Sequence, residues 1–181
     1  MAPYPSPTLR TARQRQPQRV RHGSRGFSLI EALVTLVVLS IGMLALANLQ
    51  LQTLVDSRTA SMRNFAALMA YNLADQVRSN ETAVTNGTFN SPKNTPEPNC
   101  YAAAGCDPNQ MATTAYATWL EDIKAAMPGG DGIVCIDSTP DDGESSTNAA
   151  CDLVANAPYV IKIWWREDKQ VTQRFSTALI P

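Results

Sequence analysis

Few side chains in this sequence of 181 residues could carry chemistry, and they are unevenly placed. The only histidine, His22, sits in an opening segment rich in Pro, Arg and Gln. If that segment is removed, imidazole acid–base catalysis and zinc ligation by histidine go with it. The four cysteines, Cys100, Cys106, Cys135 and Cys151, contain no C-x-x-C pair, which argues against zinc. No phosphate-cradling G-x-x-x-x-G-K-S/T, dinucleotide-binding G-x-G-x-x-G or nucleophile-elbow G-x-S-x-G occurs. No catalytic residue, metal or cofactor is expected, and the chain does not read as an enzyme. Glu31 stands apart from the other acids because it heads a stretch, residues 32 to 55, with no charge and no proline. An ionised carboxylate at the edge of hydrocarbon costs several kcal/mol unless it is paired, so Glu31 calls for a cation.

The elements that must position this carboxylate follow from composition. Arg10, Arg13, Arg15, Arg19, Arg21 and Arg25 meet no acid in the first 26 residues, whereas the rest of the chain holds the other nine of 15 Lys and Arg and all 16 acids. A basic arm for nucleic acid is one reading of the leader, but its position against an apolar helix makes a nucleic-acid partner unexpected. The 24 residues from 32 to 55 make roughly 36 Å of helix, enough to cross a hydrocarbon layer of ~30 Å. The positive-inside rule then keeps the arginines in the cytoplasm and sends everything after Val55 across the membrane. No Gly or Pro lies between Asp56 and Arg78, and Phe65, Leu68, Met69, Asn72, Leu73, Gln76 and Val77 form a stripe at 3–4 spacing. One helix is therefore expected from Phe27 to about Ser79, on the order of 80 Å long. Residues 27–55 span the membrane and residues 56–79 continue as an amphipathic half.

Residues 80–181 form the head. The five Asn and three Pro of residues 80–99 predict a loop. Asp107, Pro108 and Gln110 have the spacing of a helix start, predicting a helix over 108–127 that Pro128, Gly129 and Gly130 end. Met111, Ala115, Trp119, Ile123 and Met127 would make its buried ridge. Residues 132–136 read as a strand, and residues 137–152, with five acids, as a solvated loop. That loop fits a calcium-binding template poorly, since Pro140 and Ala149 fall where oxygen ligands belong. Residues 159–166 and 171–180 predict a hairpin, with Tyr159, Ile161, Ile163 and Trp165 on one face and Val171, Gln173, Phe175, Thr177 and Leu179 on the matching face. Trp119 and Trp165 read as core; Trp164, facing the other way, could pack or serve as a ligand platform. Two disulfides are expected in an exported head, with three pairings possible. Proximity in sequence favours Cys100–Cys106 and Cys135–Cys151, the second closing a loop of about 17 residues worth roughly 3 kcal/mol.

The string Arg25-Gly26-Phe27-Ser28-Leu29-Ile30-Glu31 resembles the class III signal of a type IV pilin precursor. An ordinary secretory signal is cut after its apolar run, near small residues, whereas the junction here precedes the run. The resemblance implies cleavage by prepilin peptidase between Gly26 and Phe27, N-methylation of Phe27, and Glu31 meeting the new amine of a neighbouring subunit. The bland alternative is that Glu31 snorkels to the interface.

Leu39-Ser40-Ile41-Gly42-Met43-Leu44, residues 71–80, Cys106-Asp107-Pro108-Asn109-Gln110 and residues 128–135 resemble the pilus-modification minor pilins, the PilV family. That implies an α+β fold, a long N-terminal membrane-spanning helix packed on a small antiparallel sheet with a second helix. It also implies a minor pilin of the type IV pilus that supports assembly or priming, twitching motility and adhesion. The implied partners are other minor and major pilins through the N-terminal helix, prepilin peptidase, the inner-membrane assembly platform and a tip adhesin. The implied location is the inner membrane of a Gram-negative bacterium, N-terminus cytoplasmic and head periplasmic, and then the fibre at the cell surface. Two features depart from the pattern: a leader of 26 residues is longer than the family's usual short one, and Asn48 stands where major pilins commonly carry a helix-breaking proline. A minor pseudopilin of type II secretion shares the signal and the helix; the second helix and the four cysteines favour the pilus member.

Overall fold

The computed structural model describes residues 26–168 and 171–181. The six leader arginines and His22 lie outside the described residues, as do Lys169 and Gln170. In chain order the elements are α1 (Leu29–Ser79), α2 (Glu81–Thr85), a 3-10 turn (Pro98–Tyr101), α3 (Pro108–Ala126), β1 (Asp131–Ile136), β2 (Tyr159–Asp168) and β3 (Val171–Leu179). The strands form one antiparallel sheet in the order β1-β2-β3. A long apolar N-terminal helix, shorter helices and a small antiparallel sheet make the expected α+β layout.

The chain divides into two compact units at Ala47/Asn48. The first contains the start of α1, where every large apolar side chain is exposed. The two hydroxyls within this start of α1 turn inward: Thr35 donates to the Ala32 carbonyl (2.9 Å) and Ser40 to the Leu36 carbonyl (2.7 Å). Such back-bonding leaves no hydroxyl proton unsatisfied where water is absent.

The second unit holds the core. From α1 it takes Ala66, Met69, Ala70, Leu73, Ala74 and Val77. This differs from the stripe expected over 65–77: Leu68 is 64% exposed and Asn72 is exposed, while three alanines face inward. The reason is packing. Trp119 meets this face of the helix in the same core, and small alanines leave a bulky indole room. The Trp119 indole N–H donates to the Met69 carbonyl (2.8 Å), which fixes the rotation of both helices.

The start of α3 is a complete capping box. Asp107 accepts from the Asn109 and Gln110 amides (2.8 and 2.9 Å), and Gln110 accepts from the Asp107 amide (3.1 Å). Its buried ridge is turned at the N-terminal end from the one expected: Met111 is exposed and Ala115 half-buried, while Ala112, Tyr116 and Leu120 lie inside with Trp119 and Ile123. The Tyr116 hydroxyl donating to the Gly132 carbonyl (3.0 Å) holds that orientation. The bare Gly132 backbone lets the indole approach, because a Cβ would lie 2.5 Å from the Trp119 ring. The loop expected over 80–99 contains α2. Asn80 caps it by accepting from the Ala83 amide (3.1 Å), and also donates to the Pro108 carbonyl (2.7 Å).

In the sheet, Tyr159, Ile161, Ile163 and Trp165 stand opposite Leu179, Thr177, Phe175 and Gln173. These four β2 residues face the core, as their alternation requires. Trp164 also packs, 3% exposed on the other face, and its indole N–H has no hydrogen-bond partner among the described residues.

Candidate functional site

The junction and the head of α1 form the first candidate site. Gly26, Phe27 and Ser28 precede the helix, and the Ser28 carbonyl accepts from the Glu31 and Ala32 amides (3.0 and 3.1 Å), starting it at Leu29. Phe27 is 72% exposed. A Cβ on Gly26 would meet nothing within 4 Å, so packing among the described residues does not require glycine at this position. Glu31 lies exposed in the first turn of α1, where an anion is favoured by the free amides and the helix dipole, and it has no ion-pair partner among the described residues. The apolar residues behind it make α1 long and apolar enough to cross a membrane. Among them Ser40, Gly42, Ala45 and Ala47 are small, and a Cβ on Gly42 would meet nothing within 4 Å.

The head carries two disulfides, Cys100–Cys106 (Cα–Cα 4.7 Å) and Cys135–Cys151 (6.2 Å). The second closes the acidic segment 137–152, which was expected to be solvated. That expectation fails at its first residue. Asp137 and Lys162 are both fully buried, with Lys162 Nζ 2.5 Å from Asp137 Oδ2. The same ammonium donates to Asp142 Oδ1 (2.6 Å), the Asp142 carbonyl (3.1 Å) and the Ala149 carbonyl (2.8 Å). Asp137 Oδ1 accepts from the Thr139 amide (3.0 Å). Arg174 of β3 donates to the Gly143 carbonyl (2.6 Å) and to the Asp141 carbonyl. Gly143, at φ +84°, lets the Ala149 carbonyl approach; a Cβ there would sit 2.5 Å from its oxygen. Lys162 was missed because an alternating strand places it opposite Ile161 and Ile163, where a lysine normally reads as solvent-facing. The available signal was an acidic loop followed by one lysine inside an apolar run.

Electrostatics follow this geometry. Hydrogen bonds from Lys162 and then Thr139 hold the Asp142 carboxyl below its usual range, with the charges of Lys162 and Arg174 adding to them. Ser138 does the same to Asp152 through its hydroxyl and its amide. Burial, and then Asp131, pushes the Tyr116 hydroxyl up to about 12. Burial also raises Tyr159. These groups lock structure: the carboxylates are paired to their own chain, and the Tyr116 proton is held on a backbone carbonyl. Among the described residues no group of three or more His, Cys, Asp or Glu side chains is placed to hold a metal ion.

A family model described as the prokaryotic N-terminal methylation motif matches residues 21–47. Searches among curated proteins and among solved structures found no match. The matched segment contains Gly26, Phe27, Glu31 and the apolar opening of α1, and it ends before the head. The chain therefore carries the N-terminal signal of a type IV pilin or pseudopilin, a prepilin-peptidase substrate with an apolar helix suited to a membrane-anchored precursor.

Proposed function

We propose that this protein is a minor pilin of the type IV pilus, of the PilV kind, acting by contact rather than by turnover. The observation that carries the reading is the junction. An exposed Gly26-Phe27 bond, at a glycine that packing among the described residues does not demand, lies just ahead of Glu31, which has no ion-pair partner among those residues, and an uncharged exposed stretch of helix. Prepilin peptidase cuts that bond, Phe27 becomes the N-methylated terminus, and Glu31 pairs with the terminal amine of a neighbouring subunit. The helix exchanges lipid for other minor and major pilins at the inner-membrane assembly platform, an exchange driven by packing and polar pairing because lipid is as apolar as leucine. The head is periplasmic in the precursor and lies near the fibre tip afterwards, beside an adhesin, supporting assembly, twitching motility and adhesion.

N-terminal sequencing of protein recovered from sheared pili tests this: N-methylated Phe27 is expected, and an intact leader or a cut within 45–48 would end the reading. A second reading, a minor pseudopilin of type II secretion, is favoured by the matched motif being common to both classes. Deleting the gene separates them. Loss of surface pili with secretion intact supports the pilus, and the reverse supports the secretion system.

A further inference from the structure

We propose that the Lys162 ammonium is a built-in cation filling a latent divalent-cation site in the acidic loop. The four oxygens around Nζ come from two carboxylates and two main-chain carbonyls, at 2.5 to 3.1 Å. Hard oxygen donors of this kind, a mixture of carboxylate and carbonyl, are what calcium selects. Asp137 Oδ2 is buried, lies 2.5 Å from Nζ, and has no partner in hydrogen-bond geometry; it addresses the cation as a charge. Two carboxylates face the one ammonium, with Arg174 at the rim near Asp142, and loss of the lysine would leave the two carboxylates with Arg174 as the only cation beside them among the described residues. The frame survives without the lysine, because the Cys135–Cys151 bond closes the loop, Gly143 admits the Ala149 carbonyl, and Arg174 ties down the Asp141 and Gly143 carbonyls. Ala149 looked unfit as a ligand in the sequence because its side chain has no oxygen; its carbonyl supplies one. The ammonium makes the loop's order independent of metal, and truncating Lys162 opens a calcium site. This inference does not depend on the pilus reading.

The test uses the full chain in detergent, with melting of the head followed by near-ultraviolet circular dichroism in chelator and in millimolar calcium. Wild type melts identically in both. Lys162→Ala in chelator loses about 10 °C, the effect of leaving buried charges unpaired in a domain of this size, and calcium restores at least half of the loss. Lys162→Met, which fills the stem's space without a charge, also melts early but calcium restores nothing. A Lys162→Ala chain that folds only with calcium supports the proposal, and one that folds in neither condition overturns it. The proposal also fails if Lys162→Ala melts like wild type, if calcium leaves its melt unchanged, if wild type shifts with calcium, or if Lys162→Met is rescued.

Discussion

Glu31 and Asp137 are carboxylates placed against apolar surroundings in the two units of this chain, and they are treated in opposite ways. Asp137 is fully buried and finds its cation in Lys162, 25 positions further along the same chain. Glu31 finds none among the described residues and heads the stretch of α1, up to Ala47, whose large apolar side chains are all exposed. The same contrast holds for burial as a whole: residues from Asn48 onward have a core, two disulfides and an ion cage, whereas the preceding unit has no buried residue among those described, 26–47. Among the described residues the first unit leaves both its carboxylate and its apolar surface uncovered. A segment that satisfies both is finished as it stands.

The largest effect that could break this contrast is at Glu31. Glu31→Ala should leave membrane insertion and leader processing near wild type while lowering recovery in sheared fibres by at least about tenfold, the loss expected when an intermolecular charge pair in a dry setting is removed. Immunoblots of membranes and of sheared pili measure both. Equal recovery of the variant would show that Glu31 needs no partner and only snorkels.

The disulfides sharpen the other side. Replacing Cys135 and Cys151 together by Ala should cost the head about 3 kcal/mol, a drop of roughly 6–12 °C in melting temperature. Fibre incorporation should be affected only as far as the head unfolds. Non-reducing peptide mapping of the wild-type protein should recover Cys100 with Cys106 and Cys135 with Cys151, and a Cys106–Cys135 peptide would overturn that pairing.

Two glycines compare the units on one scale. Gly132→Ala places a Cβ 2.5 Å from the Trp119 ring and should cost about 1–3 kcal/mol of overpacking in a denaturant melt of the head. Gly42→Ala meets nothing within 4 Å and should leave that melt unchanged. If the two variants melted alike, the first unit would not be the open surface described.

The sequence showed what is local or periodic. The junction, Glu31 and the uncharged run are contiguous, the Asp107 and Gln110 box spans four residues, and the β2–β3 faces follow from period two. Features that depend on distant partners were not legible. The inward rotation of α1 onto Ala66, Ala70 and Ala74 goes with the distant Trp119, whose indole bonds the Met69 carbonyl, rather than with any hydropathy signal in the helix, since alanine marks no face. Helix α2 is only five residues, and its capping Asn80 was hidden among turn formers. The Lys162 cage joins residues at 137, 142, 149 and 162, and one-strand alternation cannot reveal that an outward face is roofed by a loop.

The smallest expected effect tests whether the cage carries its charge as described. Asp142 has a folded-state carboxyl below its ordinary value of 3.8, held there first by the Lys162 and Thr139 hydrogen bonds. As pH falls, the unfolded chain takes up this proton before the folded one does. The stability contributed by Asp142 is therefore complete above its ordinary value and is lost as pH falls further, through the depressed one. Head stability should be flat with respect to this group near neutral pH and should decline below about pH 4. Asp142→Asn should be less stable near neutrality and show a shallower acid limb, while the Asp152 contribution, held low by Ser138, persists in both proteins. Melts from pH 7 down to pH 2 in matched salt measure the difference. An acid limb of equal slope in wild type and Asp142→Asn would mean that Asp142 is not paired with the ammonium in solution, and the contrast between the two units would then rest on Asp137 alone.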